Sequence, residues 1–157
     1  MKHAITVVVD EPGWKVSRGL VKRIEEAACL AIERGRRLKR HRTMTILLSS
    51  DTKLRKLNGR FRSKDKATNV LSFPAAPNPE YYLGDVAIAL GIVSREAANQ
   101  RKTLPDHATH LAVHGVLHLL GYDHDKARDA HRMERLEAEI LSELGIPDPY
   151  EARPNRS

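Results

Sequence analysis

The sequence predicts a single α+β domain, a four-stranded mixed sheet packed with about five helices. Three observations carry this. The chain has 157 residues, a one-domain length that buries about 70% of the surface its unfolded form exposes. Short β-branched runs alternate with longer stretches of helical periodicity. A hydrophobic fraction of 41% beside 30% charged residues is ordinary globular composition, which excludes wholesale disorder. With no internal repeat and no linker, residues 1–157 read as one unit with a frayed tail from Asp148.

The elements follow in order. Residues 3–9 (HAITVVV) form the first strand, broken by Pro12 and Gly13. Ser17 is placed to cap a helix whose apolar positions Val16, Leu20, Ile24, Ala27, Ala28 and Ala31 recur at helical spacing, with Gly35 at its end. Residues 43–48 (TMTILL) are the second strand. Ser50 and Asp51 start a short helix with Leu54 and Leu57 inward, which Asn58-Gly59 should stop. A polar connection over 60–68 leads into the third strand, residues 69–73, closed by Pro74. Residues 84–90 supply the fourth strand, and helices follow at about 93–102, 105–120 and 126–144, the last closed by Gly145 and Pro147.

Several function classes fall away at once. Cys29 is the only cysteine, so no internal disulfide is available and a reducing, cytoplasmic setting is expected. The apolar run Ala4 to Val9 is too short for a signal-peptide core. The stretch Leu111 to Tyr122 is interrupted by histidines and falls short of the ~20 residues a membrane needs. Charge points elsewhere. The net charge is +7, yet residues 34–66 alone hold thirteen bases against Asp51 and Asp65, a net of +11, while residues 67–157 carry −4. A block of that kind attracts polyanions by counterion release, and nucleic acid is the expected partner. Aromatic residues are only 4%, so binding should lean on phosphates rather than on a stacking platform.

Five of the eight histidines lie between His107 and His124, with the core His114-Gly115-Val116-Leu117-His118-Leu119-Leu120-Gly121-Tyr122-Asp123-His124. Histidines four apart on a helix lie about 40° apart around its axis, so His114 and His118 can reach one point. Gly121 permits the left-handed turn that would bring His124 back toward them. Three imidazoles with an open position make a catalytic zinc site, whereas structural zinc usually takes four protein ligands. The surrounding leucines and valines make this helix apolar nearly all round, and incidental buried imidazoles there would be costly. The spacing is that of the metzincin proteases, but Gly115 stands where their glutamate base would be, which argues against peptide hydrolysis.

This histidine motif resembles that of the YbeY family of bacterial endoribonucleases, H-G-x-L-H-L-x-G-Y-D-H, at every specified position. A second stretch resembles the family independently, Leu57-Asn58 and then Phe61 to Pro74, and a third is Leu83-Gly84-Asp85-Val86. The likeness runs from about residue 45 to 145. Ala67 departs from the family's usual proline, and Ala89 from a small polar residue.

The resemblance implies a zincin-like site with His114, His118 and His124 as ligands of Zn2+ or another divalent transition metal. It implies a single-strand-specific endoribonuclease acting in maturation of the 16S rRNA 3′ end and in ribosome quality control. Small ribosomal subunit proteins and an assembly GTPase are the further partners it implies, with no membrane. Arg62 matches the family's functional arginine, and a guanidinium suits the charge that builds on phosphate during cleavage. Arg60, Arg62, Lys64 and Lys66 are then the substrate contacts, and His114 joins Arg62 in catalysis. His110, one turn before His114, is expected beside the metal ligands, and His107 at the surface. Asp85 and Asp123 are candidates to orient a ligand imidazole or accept a proton, Asp123 equally a turn residue. Tyr122 reads as a buried anchor. Two alternatives stay open, an RNA-binding assembly factor with a structural metal and a zinc hydrolase of another substrate.

Overall fold

The structure, a computed structural model, describes residues 3–62, 68–123 and 125–151, apart from the Arg62 side chain. Strands β1 (Ala4–Val9), β2 (Thr43–Ser49), β3 (Val70–Pro74) and β4 (Tyr82–Ala89) form one sheet in the order β1-β2-β4-β3. β1, β2 and β4 run parallel, and β3 is antiparallel to β4. The helices are α1 (Leu20–Gly35), α2 (Asp51–Arg62), α3 (Leu90–Asn99), α4 (Leu104–Leu119) and α5 (Ala127–Glu143). The mixed four-stranded sheet with five helices is the predicted class.

Strand alternation divides the apolar residues between two faces. Met44, Ile46, Leu48, Val86 and Ile88 meet α1 and α4 in the main core, and α5 packs on α1 and α4 from outside. Ala87, Ala89 and Leu71 turn the other way, where Leu54, Leu57 and Phe73 cover them in a smaller cluster under α2. Trp14 is buried in the main core, its indole N–H satisfied by the Ser49 carbonyl at 2.9 Å.

Local departures have physical causes. Pro12 and Gly13 open a short 3-10 turn, Pro12–Val16, and α1 starts only after Gly19, whose φ of 78° is left-handed; Ser17 does not cap it, and Val16 is exposed. Asn58-Gly59 does not end α2, because the apolar positions continue to Phe61, which meets Phe73 edge-on at 5.8 Å. β4 passes directly into α3 at Leu90; Ala89 has no polar side chain to cap it, and Asp51 of α2 accepts the Ile92 N–H at 3.0 Å instead. The turn after α5 carries Tyr150, whose N–H meets Asp148 and whose hydroxyl reaches back to Glu137 of α5.

One consequence positions the site. Gly35 at the end of α1 accepts from the Tyr122 hydroxyl just after α4, and Phe61 near the end of α2 reaches Phe73. Phe73 pairs with Asp85 and Pro74 with Gly84, near the start of β4. The carboxyl ends of α1 and α4 on one face, and of α2 on the other, therefore lie toward the end of the sheet where β2 and β4 begin.

Candidate metal centre

α4 begins at Thr103, whose hydroxyl accepts the Asp106 N–H at 3.2 Å, with Pro105 in its first turn. Its apolar residues bury against the sheet at Gly115. A Cβ there would lie 2.7 Å from Val86 and 3.1 Å from Ser72 Oγ, and Ser72 donates to the Gly115 carbonyl at 3.0 Å. Glycine is required by this close approach, and the position has no room for a protease glutamate. The helix ends at Gly121, φ 100°, with Gly121 N–H on His118 O at 3.0 Å and Tyr122 N–H on Leu117 O at 3.0 Å. Tyr122 is an anchor, its hydroxyl 2.7 Å from the Gly35 carbonyl.

His114 and His118 converge. Their Nε2 atoms are 3.1 Å apart and their rings are inclined at 80°. Two nitrogens each about 2.0–2.1 Å from a tetrahedral zinc would sit roughly 3.3 Å apart, so this pair fits a metal edge. His114 is about one-fifth exposed, enough to reach solvent from a helix otherwise buried. His124 lies outside the described residues. Among the described residues no group of three or more His, Cys, Asp or Glu side chains is arranged so that it could hold a metal ion.

Behind the pair stands a residue the sequence reading missed. Glu137 of α5 is fully buried, with Oε2 2.7 Å from His114 Nδ1 and Oε1 2.7 Å from His110 Nε2. Tyr150 donates its hydroxyl to the same Oε1 at 2.5 Å. Burial alone would raise the Glu137 carboxyl, but the hydrogen bonds and charges of His110 and His114 outweigh it and hold it down at about 2. Burial and the neighbouring Glu137 push the Tyr150 phenol up. A signal was available, because Glu137 falls in the buried stripe Met133, Glu137, Ile140, Leu141 of α5, where a carboxylate needs partners.

The remaining candidates are distributed as follows. His110 is buried beside His114 and reaches it through Glu137. His107 is buried, not exposed, because Glu96 of α3 meets its Nε2 at 2.9 Å. Asp85 alternates to the α2 side of the sheet, away from His114 and His118 on α4, and accepts from Tyr82. It lines a groove of about 340 Å³ with Thr45, Leu47, Leu57, Phe61 and Phe73. Asp123 accepts the Asp125 N–H at 3.0 Å in a turn and lines a cleft of about 410 Å³ with Arg36 and Arg132. Arg60 is exposed, its guanidinium 5.5 Å from the Phe61 ring centroid. Arg62 closes α2; its side chain, Lys64 and Lys66 lie outside the described residues. Arg40 and Arg42 flank the Tyr81 ring at 5.6 and 5.2 Å, at the sheet end where β2 begins. No helix among the described residues is long and apolar enough to cross a membrane.

Comparison with known proteins agrees with this layout. The family model described as endoribonuclease YbeY matches residues 12–145. A Chelativorans protein named endoribonuclease YbeY is 44% identical over 146 residues, covering 90% of this chain and 87% of its own length. One from Maricaulis maris is 39% identical over 94% of this chain and 92% of its own. One from Nitrobacter winogradskyi is 50% identical over 72% of this chain, a match that spans 63% of that relative's length. A solution structure from Thermotoga maritima shares the fold with a TM-score of 0.56 at 23% identity, over 98% of this chain and 99% of that one. The chain belongs to the endoribonuclease YbeY family.

Proposed function

We propose that this chain is a cytoplasmic, metal-dependent endoribonuclease that cuts single-stranded RNA, acting in 16S rRNA 3′-end maturation and ribosome quality control. The observation that carries the metal part is the convergence of the His114 and His118 Nε2 atoms at 3.1 Å. His114, His118 and His124 would hold the ion, with Zn2+ the first candidate for an all-imidazole set. When bound, the ion supplies Lewis-acid polarisation of a phosphodiester oxygen and an acidified water.

The chain's own groups do the rest. A carboxylate only accepts, so the proton of His114 sits on Nδ1, facing Glu137, which leaves Nε2, on the side of His118, to bind the ion. Arg62 ends α2 at the same end of the sheet and would pair with the phosphate as charge builds on it. Arg36, Arg37, Lys39, Arg40 and Arg42 connect the end of α1 to the start of β2 and would hold the RNA backbone along the rim. Small ribosomal subunit proteins and an assembly GTPase are the proposed protein partners.

The test is cleavage of matched single- and double-stranded RNAs by the zinc-loaded protein, with and without chelator. Chelator-sensitive cutting of the single strand alone is expected. Cleavage that persists in a metal-free sample would refute the metal reading, and equal cutting of both substrates would refute the strand preference.

A further inference from the structure

Glu137 presents an energetic problem that the metal site resolves. A carboxylate with no solvent exposure is costly unless its lone pairs are occupied. Three groups occupy them: His114 Nδ1 on Oε2, and His110 Nε2 with the Tyr150 hydroxyl on Oε1. Two come from α4, and the third from the turn beyond α5. That turn is itself fixed, because Tyr150 N–H donates to Asp148 Oδ1 at 2.8 Å and Ile146 is buried in the core. Tyr150 lies beyond residues 12–145, the part of the chain that the family model matches.

We propose that Glu137 is a positioning residue that locks the tautomer and orientation of His114, and that the carboxyl-terminal turn, through Tyr150, locks Glu137. The inference rests on the reading of His114 as a metal ligand. Its physical basis is that an imidazole donating Nδ1–H to a carboxylate is both aimed and made more basic at Nε2. His110 and Tyr150 occupy the second oxygen, so the carboxylate cannot rotate away without breaking both hydrogen bonds and leaving the buried His110 without its partner. The turn at 148–151 thereby becomes part of the site's support, although it is remote in sequence from the histidine motif.

The experiment compares wild type, Glu137→Gln, Tyr150→Phe and His114→Ala. Zinc affinity is measured by competition with a chromophoric chelator, and the tautomer of His114 in the metal-free protein by imidazole 15N–1H correlation. Glu137→Gln offers one acceptor oxygen to three donors. It should weaken zinc binding about 10- to 100-fold and deplete the Nδ1–H form. Tyr150→Phe should weaken binding in the same direction by a smaller factor, and it removes only a hydroxyl, which keeps the proposal testable should Glu137→Gln not fold. Wild-type zinc affinity and tautomer in a folded Glu137→Gln, or wild-type affinity in Tyr150→Phe, would overturn the inference. Loss of thermal stability with unchanged zinc affinity would also overturn it, since the group would then be only structural. Should His114→Ala keep full zinc affinity, the reading of His114 as a ligand is what fails.

Discussion

The imidazoles of α4 and the bases of residues 34–66 would serve one anionic substrate by opposite designs. His114 is backed by Glu137, a fully buried carboxylate whose two oxygens are met by His114, His110 and Tyr150. The basic segment is exposed over much of its length, as at Arg40, Lys53, Arg55, Lys56 and Arg60, and its charges replace one another. The difference teaches where specificity and affinity reside. Buried groups that hydrogen-bond one another define one geometry and fail together. Exposed charges contribute small, additive, salt-screened increments.

The largest effect should therefore come from the imidazole side. His114→Ala removes a proposed metal ligand and leaves Glu137 short of a donor. Loss of several kcal/mol of transition-state stabilisation corresponds to at least about a thousandfold in rate. Metal content by elemental analysis should fall with activity, and a metal-loaded, active variant would break the contrast. Arg62→Ala comes next, with about a 10²- to 10³-fold loss of cleavage on full metal occupancy. Wild-type cutting by a folded, metal-loaded Arg62→Ala would reduce Arg62 to one more base among thirteen.

The sequence was most legible where a residue's reason is local. The two-residue period of the strands, Gly121 after α4 and the i, i+4 pair His114 and His118 all follow from geometry within one element. It was least legible where the partner comes from another element. Glu137 reads as an ordinary helix residue until α5 is laid beside α4, and Tyr150 reads as tail until its hydroxyl finds Glu137. His107 looks exposed on a helical wheel because nothing in α4 announces Glu96 on α3. Asp85 shows the converse, since strand alternation sends it to the face opposite α4 and away from His114 and His118. The end of α2 was misplaced because packing of Phe61 on Phe73 overrides a local Asn-Gly stop.

The basic side is sharpened by a smaller, graded prediction. Arg40→Ala with Arg42→Ala removes two cations from the rim beside Tyr81. Single-stranded RNA binding should weaken several-fold, and the slope of log affinity against log salt should fall by about 1.4 for two lost phosphate contacts. Cleavage at saturating RNA should be nearly unchanged, because neither residue touches His114 or His118. A fall in saturated rate, or an unchanged salt slope, would place these arginines outside the role given to the segment.

The smallest effect tests whether burial alone, without a metal, gives α4 its pH dependence. His107 sits one turn before His110, with Glu96 on its Nε2 and Nδ1 buried without a hydrogen-bond partner among the described residues. Burial lowers its pKa from 6.5, Glu96 opposes the shift, and His110 and Lys102 add to it. The unfolded chain therefore binds a proton at a higher pH than the folded one. The stability this neutral ring contributes is complete above about pH 6.5 and is lost as pH falls through the lower folded value. His107→Gln keeps a polar group opposite Glu96 without a titrating ring. Denaturant unfolding between pH 5 and 8 should then show a shallower rise of stability with pH than wild type, while zinc affinity stays the same. A slope equal to wild type would mean that Glu96 offsets burial completely, and a weakened zinc affinity would extend the buried network one turn further from the metal than its hydrogen bonds reach.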